Sequence, residues 1–403
     1  MDDEIKGYRA ATQFEYNSDY VAKYFTEEDL FFAVSLNIPV SFETYRFKSW
    51  APFLLDLIPQ GAGRRFWEKK LNVMNNSSSD WKILTNGASN CGGMLRIKSA
   101  VTPLQQIKFS GFKKKLIWEQ KSKVLTEIEK LGIPIGSSSS VQGDAPKFYL
   151  TEDLKGNWFP GGILSTEKIK KEWIVKFPRS SKPKDLLVLK MEERYYKIAT
   201  DFGIKTNEKL QWFKDTLFIP RFDVKIKNKK QYRHGLESLA SALEIAEFGA
   251  NPNHEKFLDA IFKFSTNRNK DLKEYVLRDI LNFCMCNTDN HPRNTAFLKI
   301  KNKCGLSPLY DFAPMILDTE GITRVCRWQS PREIAGVPNW NLIQDYLEIW
   351  SQKNNLKINW NAFFKNSERK IVILKLNIHN YKLDKQLTQN CLENINLALG
   401  SFK

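Results

Sequence analysis

The apolar positions of this chain follow two regimes. Through the middle they come as short runs closed by turn residues. Lys147-Phe148-Tyr149-Leu150 and Glu172-Trp173-Ile174-Val175-Lys176-Phe177 have the length and the aromatic and β-branched content of strands, and Pro178 stops the second. Lys155-Gly156-Asn157 reads as a hairpin turn, and Leu217-Phe218-Ile219 as a further strand. Between the strands, Met191, Tyr195, Ile198 and Phe202 recur at helical spacing and end near Gly203. From about residue 234 onward the pattern is mainly helical. Asp271-Leu272-Lys273-Glu274 has the form of a capping box. Behind it Leu272, Val276, Ile280 and Cys284, widened by Leu277 and Leu281, make an apolar stripe. That helix delivers the chain into residues 287–294. Residues 300–309 read as a turn and strand ending at Asp311. Leu387, Cys391, Ile395 and Leu399 form a last stripe closed by Gly400. Nearer the N-terminus, Gly63-Arg64-Arg65-Phe66-Trp67 opens a basic helix, and residues 75–80 read as a polar turn or linker. The order of strands, helix, strands and then helices predicts an α+β fold with a β-rich middle and an α-rich C-terminal half.

Composition changes this picture little. The 403 residues are 42% apolar and 27% charged, as in ordinary globular proteins. No run is long enough to span a membrane, and the acidic start Met1-Asp2-Asp3-Glu4 is no secretory signal, so a cytoplasmic protein is expected. The six cysteines, among them Cys284 and Cys286, fit no zinc spacing and read as buried thiols. The net charge of +17 favours anionic partners without choosing among nucleic acid, nucleotide and acidic protein. Local basic runs lie at 113–115, 168–171 and 225–230.

The candidate chemistry gathers in Asn287-Thr288-Asp289-Asn290-His291-Pro292-Arg293-Asn294. Asp289 and Asn294 follow an apolar helix, and Asp311 closes a strand. A phosphoryl transferase uses such a set: one carboxylate accepts the proton of the attacking hydroxyl, and an Asn with a second Asp offers hard oxygen ligands to Mg²⁺. The motif D-x-x-x-x-N alone also describes a turn that uses Asp and Asn for local hydrogen bonds. Lys176 stands between apolar residues of a strand, where an ammonium calls for an anionic partner such as ATP phosphates; an edge-strand lysine is the alternative. Glu192, read as lying near the start of the following helix, could pair with Lys176. The loop 137–143, rich in small residues, could bring backbone N–H groups to phosphates or serve as a linker.

With these motifs in order, the chain resembles the HipA family of bacterial serine/threonine kinases, toxins of toxin–antitoxin pairs. Residues 286–295 resemble the family's catalytic loop G-x-T-D-x-H-x-K-N, and Leu306-Ser307-Pro308-Leu309-Tyr310-Asp311 its metal segment. Ser140-Val141-Gln142-Gly143-Asp144-Ala145-Pro146-Lys147 resembles the S-V-x-G-x-x-x-K loop, whose Ser is autophosphorylated in the family. Trp173 to Pro178 resembles the strand ending I-x-K-x-P, and Arg221-Phe222-Asp223 the R-F-D hinge. Less strongly, Leu55-Asp56-Leu57-Ile58-Pro59 and residues 83–93 resemble N-terminal segments. Pro220 and Pro146 replace acidic residues of the family pattern.

The resemblance implies a two-lobed protein-kinase-like fold: an N-terminal subdomain (1–110), an N-lobe (111–225) and an all-α C-lobe (226–403). It implies Asp289 as catalytic base and Asn294 and Asp311 as Mg²⁺ ligands. Lys176, oriented by Glu192, would grip the ATP phosphates, with Ser140, Val141 and Gly143 in the phosphate loop and Phe222 and Asp223 at the adenosine. His291 would hold the loop. Ser138 and Ser140 are the candidate autophosphorylation sites. The implied cofactors are ATP and Mg²⁺. The implied partners are a protein substrate such as an aminoacyl-tRNA synthetase, whose modification would inhibit translation, and a helix-turn-helix antitoxin that brings DNA indirectly. No membrane is implied. The alternatives are a repressor component that acts mainly through its antitoxin, and a kinase of small molecules or lipids.

Overall fold

The computed structural model describes residues 6–25, 30–104, 106–131, 146–318, 321 and 323–402. The chain divides into two compact units. The first is Met1–Ser181, Asn207–Ala250 and Ala296–Cys304; the second is Lys182–Thr206, Asn251–Thr295 and Gly305–Lys403. Among the described residues no helix is long and apolar enough to cross a membrane.

The first unit opens with a small ladder of β1 (Thr12–Phe14) and β2 (Tyr45–Phe47). Around it Trp50, Phe53, Leu55, Ile58, Trp67, Ile83 and Leu84 form one core. Residues 75–80 are a joint of this core rather than a linker. Asn76 caps a 3-10 turn, and the buried Asp80 carboxylate accepts from the Tyr8 N–H (3.0 Å) and Arg64 Nη1 (2.7 Å).

The main sheet of this unit contains β3 (Phe112–Lys113), β4 (Lys147–Asp153), β5 (Asn157–Pro160), β6 (Ile169–Lys176), β7 (Gln211–Phe213) and β8 (Thr216–Pro220), in the order β3-β5-β4-β6-β8-β7. Among the described residues its strands pair antiparallel throughout. Asp153 builds the turn of the β4–β5 hairpin by accepting from the N–H groups of Lys155 (2.8 Å) and Asn157 (2.7 Å), while Gly156 takes φ +76°. Alternation assigns the faces. Phe148 and Leu150 of β4 and Trp173 and Val175 of β6 turn to the core shared with Val124 and Ile128 of the Lys121–Lys130 helix. Lys147, Tyr149, Lys176 and Ile174 therefore lie on the other face. Two further ladders complete the strands: β9 (Val224–Lys227) with β10 (Lys230–Arg233), and β11 (Gly235–Ser238) with β12 (Ala296–Ile300) and β13 (Lys303–Leu306). These strands interrupt the helical pattern expected from residue 234.

Among the described residues, the regular elements of the second unit are helices apart from the end of β13 and the two-residue hairpin β14 (Glu333–Ile334) and β15 (Val337–Pro338). The helix Pro183–Phe202 begins at a proline, where the missing N–H is harmless, and ends at Gly203 with φ +86°. Glu192 is buried in its middle, not at its start, because the polar first turns carry no apolar periodicity to read. The helix Arg268–Cys284 starts one turn before the expected capping box: Asn267 is the cap, accepting from the Lys270 N–H (3.2 Å). Asp271 instead accepts from Ser265 Oγ (2.7 Å) and the Leu306 N–H (3.2 Å). Leu272, Val276, Ile280 and Cys284 are fully buried, as the stripe predicts, and so are Leu387, Cys391 and Ile395 of the last helix, Lys385–Leu399. All six cysteines are buried thiols.

Candidate functional site

The Arg268–Cys284 helix ends against an abrupt reversal: Cys286 takes φ +53°, and the Asn287 N–H returns to the Asn282 carbonyl at 2.9 Å. The reversal turns residues 287–294 across the end of the helix. Asn294 Nδ2 donates to the Asp289 carbonyl oxygen (2.8 Å) and faces Asp289 Oδ2 (3.4 Å). His291 is buried; its Nδ1 accepts from the Arg293 N–H (3.1 Å), and its Nε2 stands 3.7 Å from Asp289 Oδ1. The Asp289 carboxylate is thus flanked by an amide and an imidazole, with its side chain 17% exposed.

Asp311 is tied to this loop through its neighbour. Tyr310, its neighbour, donates its hydroxyl to the Arg293 carbonyl (2.8 Å), one residue before Asn294. Arg278 Nη2 holds the Ser307 carbonyl (2.7 Å), and the Leu309 N–H bonds the Lys205 carbonyl (2.8 Å). Asp311 itself has φ +55°, a conformation that an L-residue adopts at a cost and only under constraint.

Among the described residues, the buried side-chain atoms of the loop without a hydrogen-bond partner include Asn287 Oδ1, Thr288 Oγ1 and Asn294 Oδ1. Each such atom costs about 1–3 kcal/mol if it stays unsatisfied. Asn294 is the telling case. Its amide nitrogen is committed to Asp289, which fixes the oxygen in the opposite direction. A hard oxygen ligand so oriented, with Asp311 anchored beside the same loop, suits Mg²⁺.

Two features of the loop escaped the sequence. Asn290 clamps it to a distant segment: Oδ1 accepts from the N–H groups of Val325 and Cys326 (both 3.0 Å), and Nδ2 donates to the Cys326 carbonyl (2.9 Å). The Val325 N–H also reaches the Thr288 carbonyl (3.2 Å). Beneath the clamp lies a buried charged cluster. Arg324 bonds Asp279 (2.7 Å) and Glu333 (3.0 Å), Trp328 Nε1 donates to Asp279 (2.8 Å), and His254 contacts Tyr275 (2.5 Å). Burial lowers the His254 pKa to about 4, against the pull of Asp279. Burial raises the Asp279 carboxyl, but the charges of Arg324 and His254 more than offset it and hold it below the usual value. No sequence signal pairs residue 290 with 325–326, because the contact joins a side chain to a backbone.

The remaining candidates divide between the units. Glu192 belongs to the second; Lys176, Phe222 and Asp223 belong to the first. Lys176 ends β6 and is buried, and its register partner on β4 is Lys147, also buried. The two therefore lie on one face of the sheet. Lys147 is the last residue of the S-V-x-G-x-x-x-K pattern, and only the register sets it opposite Lys176. Phe222 is half-buried. Asp223 is buried; it bonds Arg221 Nε (3.0 Å) and accepts from the Gly93 N–H (2.7 Å). Arg221 in turn holds Asn90 and the Cys91 carbonyl. Gly93, at φ +77°, lies so close to Leu236 that a Cβ would sit 2.8 Å from its backbone nitrogen. This R-F-D segment therefore bolts residues 90–93 to the sheet. Ser138, Ser140, Val141 and Gly143 lie outside the described residues.

The family model for the HipA-like C-terminal domain matches residues 139–366, more than half of the chain, and that for the HipA N-terminal domain matches residues 4–98. The chain belongs to the HipA family. HipA of Shewanella oneidensis MR-1, solved with HipB and its operator DNA, is 16% identical over 96% of this chain and 91% of that one, with a TM-score of 0.62. The Helicobacter pylori proinflammatory kinase CtkA is 14% identical over 65% of this chain and 92% of that one, with a TM-score of 0.35. No curated protein matches the chain. The two-lobed, kinase-like α+β fold expected from the sequence is thus present, and it is the HipA fold.

Proposed function

We propose that this HipA-family protein is an ATP-dependent protein kinase that transfers phosphate to a Ser or Thr hydroxyl. The observation that carries the reading is Asn294: its nitrogen is locked on Asp289 and its buried oxygen has no hydrogen-bond partner among the described residues, in a loop that also anchors Asp311 through Tyr310. Asp289 accepts the proton of the attacking hydroxyl. The carboxylate is held from both sides, so its lone pairs are presented without reorganisation. Asn294 and Asp311 would hold Mg²⁺, which when bound supplies positive charge against the nucleotide phosphates. Lys176 and Lys147 form a cationic pair for the phosphates. Glu192 would orient Lys176. Phe222 would line the adenosine, with Asp223 holding the hinge shape from behind, and the 137–143 loop would cover the phosphates.

Family membership further supports a toxin regulated by an antitoxin. The Shewanella relative was solved with HipB and operator DNA, and we extend a comparable helix-turn-helix partner, and DNA through it, to this chain. An aminoacyl-tRNA synthetase as target and self-phosphorylation within 137–140 complete the proposal.

Nucleotide titration tests the site directly. Mg²⁺ should strengthen ATP binding to the wild type at least tenfold, and Asn294→Ala and Asp311→Asn should each abolish that gain while both variants keep their thermal stability. Undiminished Mg²⁺ dependence in both variants would remove the metal assignment.

A further inference from the structure

Two of the basic runs meet in the first unit. The β9–β10 hairpin carries the run 225–230; β9 packs against β6, and β10 against the 3-10 turn Thr166–Lys168, where the run 168–171 begins. The inner face of the hairpin is fixed: Gln231 Nε2 donates to Glu172 Oε1 (2.8 Å), and Arg233 approaches the same carboxylate (3.9 Å). The outer face holds Lys225, Lys227, Lys230 and Tyr232, all exposed, with Tyr232 48% exposed.

Three observations set this face apart from an ordinary solvated surface. Neighbouring Lys170 and Lys171 have carboxylate partners, Glu152 (2.7 Å) and Glu208 (2.5 Å). Among the described residues, Lys225, Lys227, Lys229 and Lys230 have no ion-pair partner. Second, the register sets Lys227 directly opposite Lys230, an arrangement that destabilises a ladder. Third, the hairpin turns through Asn228 (φ +51°) and Lys229 (φ +57°). A two-residue turn with both φ values positive favours Asn-Gly; a lysine at the second position is strained and adds one more charge at the tip. The hairpin thus gives up stability twice in favour of unpaired positive charge.

We infer that this hairpin is a docking surface for the phosphate backbone of a nucleic acid, engaged by this chain itself and without base-sequence preference. Lysines act on phosphates as point charges. Tyr232, register partner of Lys225 on the same face, offers a ring on which an unpaired base can stack. An acidic protein surface would use the charges but leave the ring idle, so the aromatic favours single-stranded nucleic acid. The inference does not rest on the kinase reading.

The test is fluorescence anisotropy of the full chain with a labelled mixed-sequence single-stranded oligonucleotide, between about 50 and 200 mM salt. Wild-type affinity should fall steeply with salt. K225Q/K227Q/K230Q should bind at least tenfold more weakly, with a log–log salt slope shallower by about 2. Tyr232→Ala should lose about tenfold on the single strand and little on the duplex. Lys229→Gly should raise Tm yet weaken binding, so a folding defect cannot account for its loss. Phosphotransfer should be unchanged in all three. The inference is overturned if the triple variant binds like the wild type, if binding is insensitive to salt, or if polyglutamate competes as well as the oligonucleotide at equal charge.

Discussion

Asn290 shows how much a single residue of the loop carries. Its amide makes three hydrogen bonds to the backbone of Val325 and Cys326, so one side chain sets where residues 287–294 lie against the segment that follows Asp311. Asn290→Ala should lower kcat about 10-fold to 100-fold with KM for ATP nearly unchanged, since positioning errors near 1 Å cost that much. Steady-state kinetics with ATP varied will separate the two. His254 makes a different prediction. Its folded pKa of about 4 lies below the ordinary value near 6.5, because burial and Arg324 oppose a charged ring enclosed by Tyr275, Asp279, Asn290 and Cys326. The unfolded chain binds the extra proton, so stability is full above about pH 6.5 and falls toward pH 4, by roughly 3 kcal/mol at the limit. Urea melts at pH 7 and pH 5 should show the loss, and His254→Gln should flatten it. At this scale the sequence displayed Asp289, Asn294, Asp311 and Lys176, because their types and spacing are chemical. It hid Asn290, Lys147 and the His254 cluster, whose partners are backbone groups or distant side chains brought close only by folding.

Among the elements, the Arg268–Cys284 helix matters most, since its last turn aims the loop. Ile280 is fully buried within it. Ile280→Ala should destabilise by about 2–5 kcal/mol and should reduce phosphotransfer only in proportion to the folded fraction. Thermal melting beside a rate measurement will show whether the two losses run together. The apolar stripe of this helix was plain, yet its start was not: Asn267 caps it, and the apparent box at Asp271 satisfies Ser265 and Leu306 instead. Periodicity reports the buried face, whereas a cap is one hydrogen bond that several nearby polar residues could make. The sheet follows the same logic. Alternation sorted the core face of β4 and β6, but only register could place Lys147 opposite Lys176.

For the whole molecule, the order of motifs along the chain carried the fold, and the HipA likeness bears it out across nearly its full length. What the linear order could not convey is that both units are discontinuous. The Pro183–Phe202 helix, with Glu192, belongs to the same unit as residues 287–294, while β11 and β12 belong with the N-terminal part. Net charge of +17 said only that an anion is wanted somewhere. The structure separates two cationic places in the first unit, the buried Lys147–Lys176 pair and the exposed β9–β10 hairpin. The central claim, that Asp289 is the base of a phosphoryl transfer, is tested most directly by the transfer of the ATP γ-phosphate to protein serine or threonine with Mg²⁺ present, in the wild type and in Asp289→Asn. The prediction is transfer by the wild type and a loss of at least 100-fold in the variant, with ATP affinity within about threefold. Equal transfer by both proteins would contradict it.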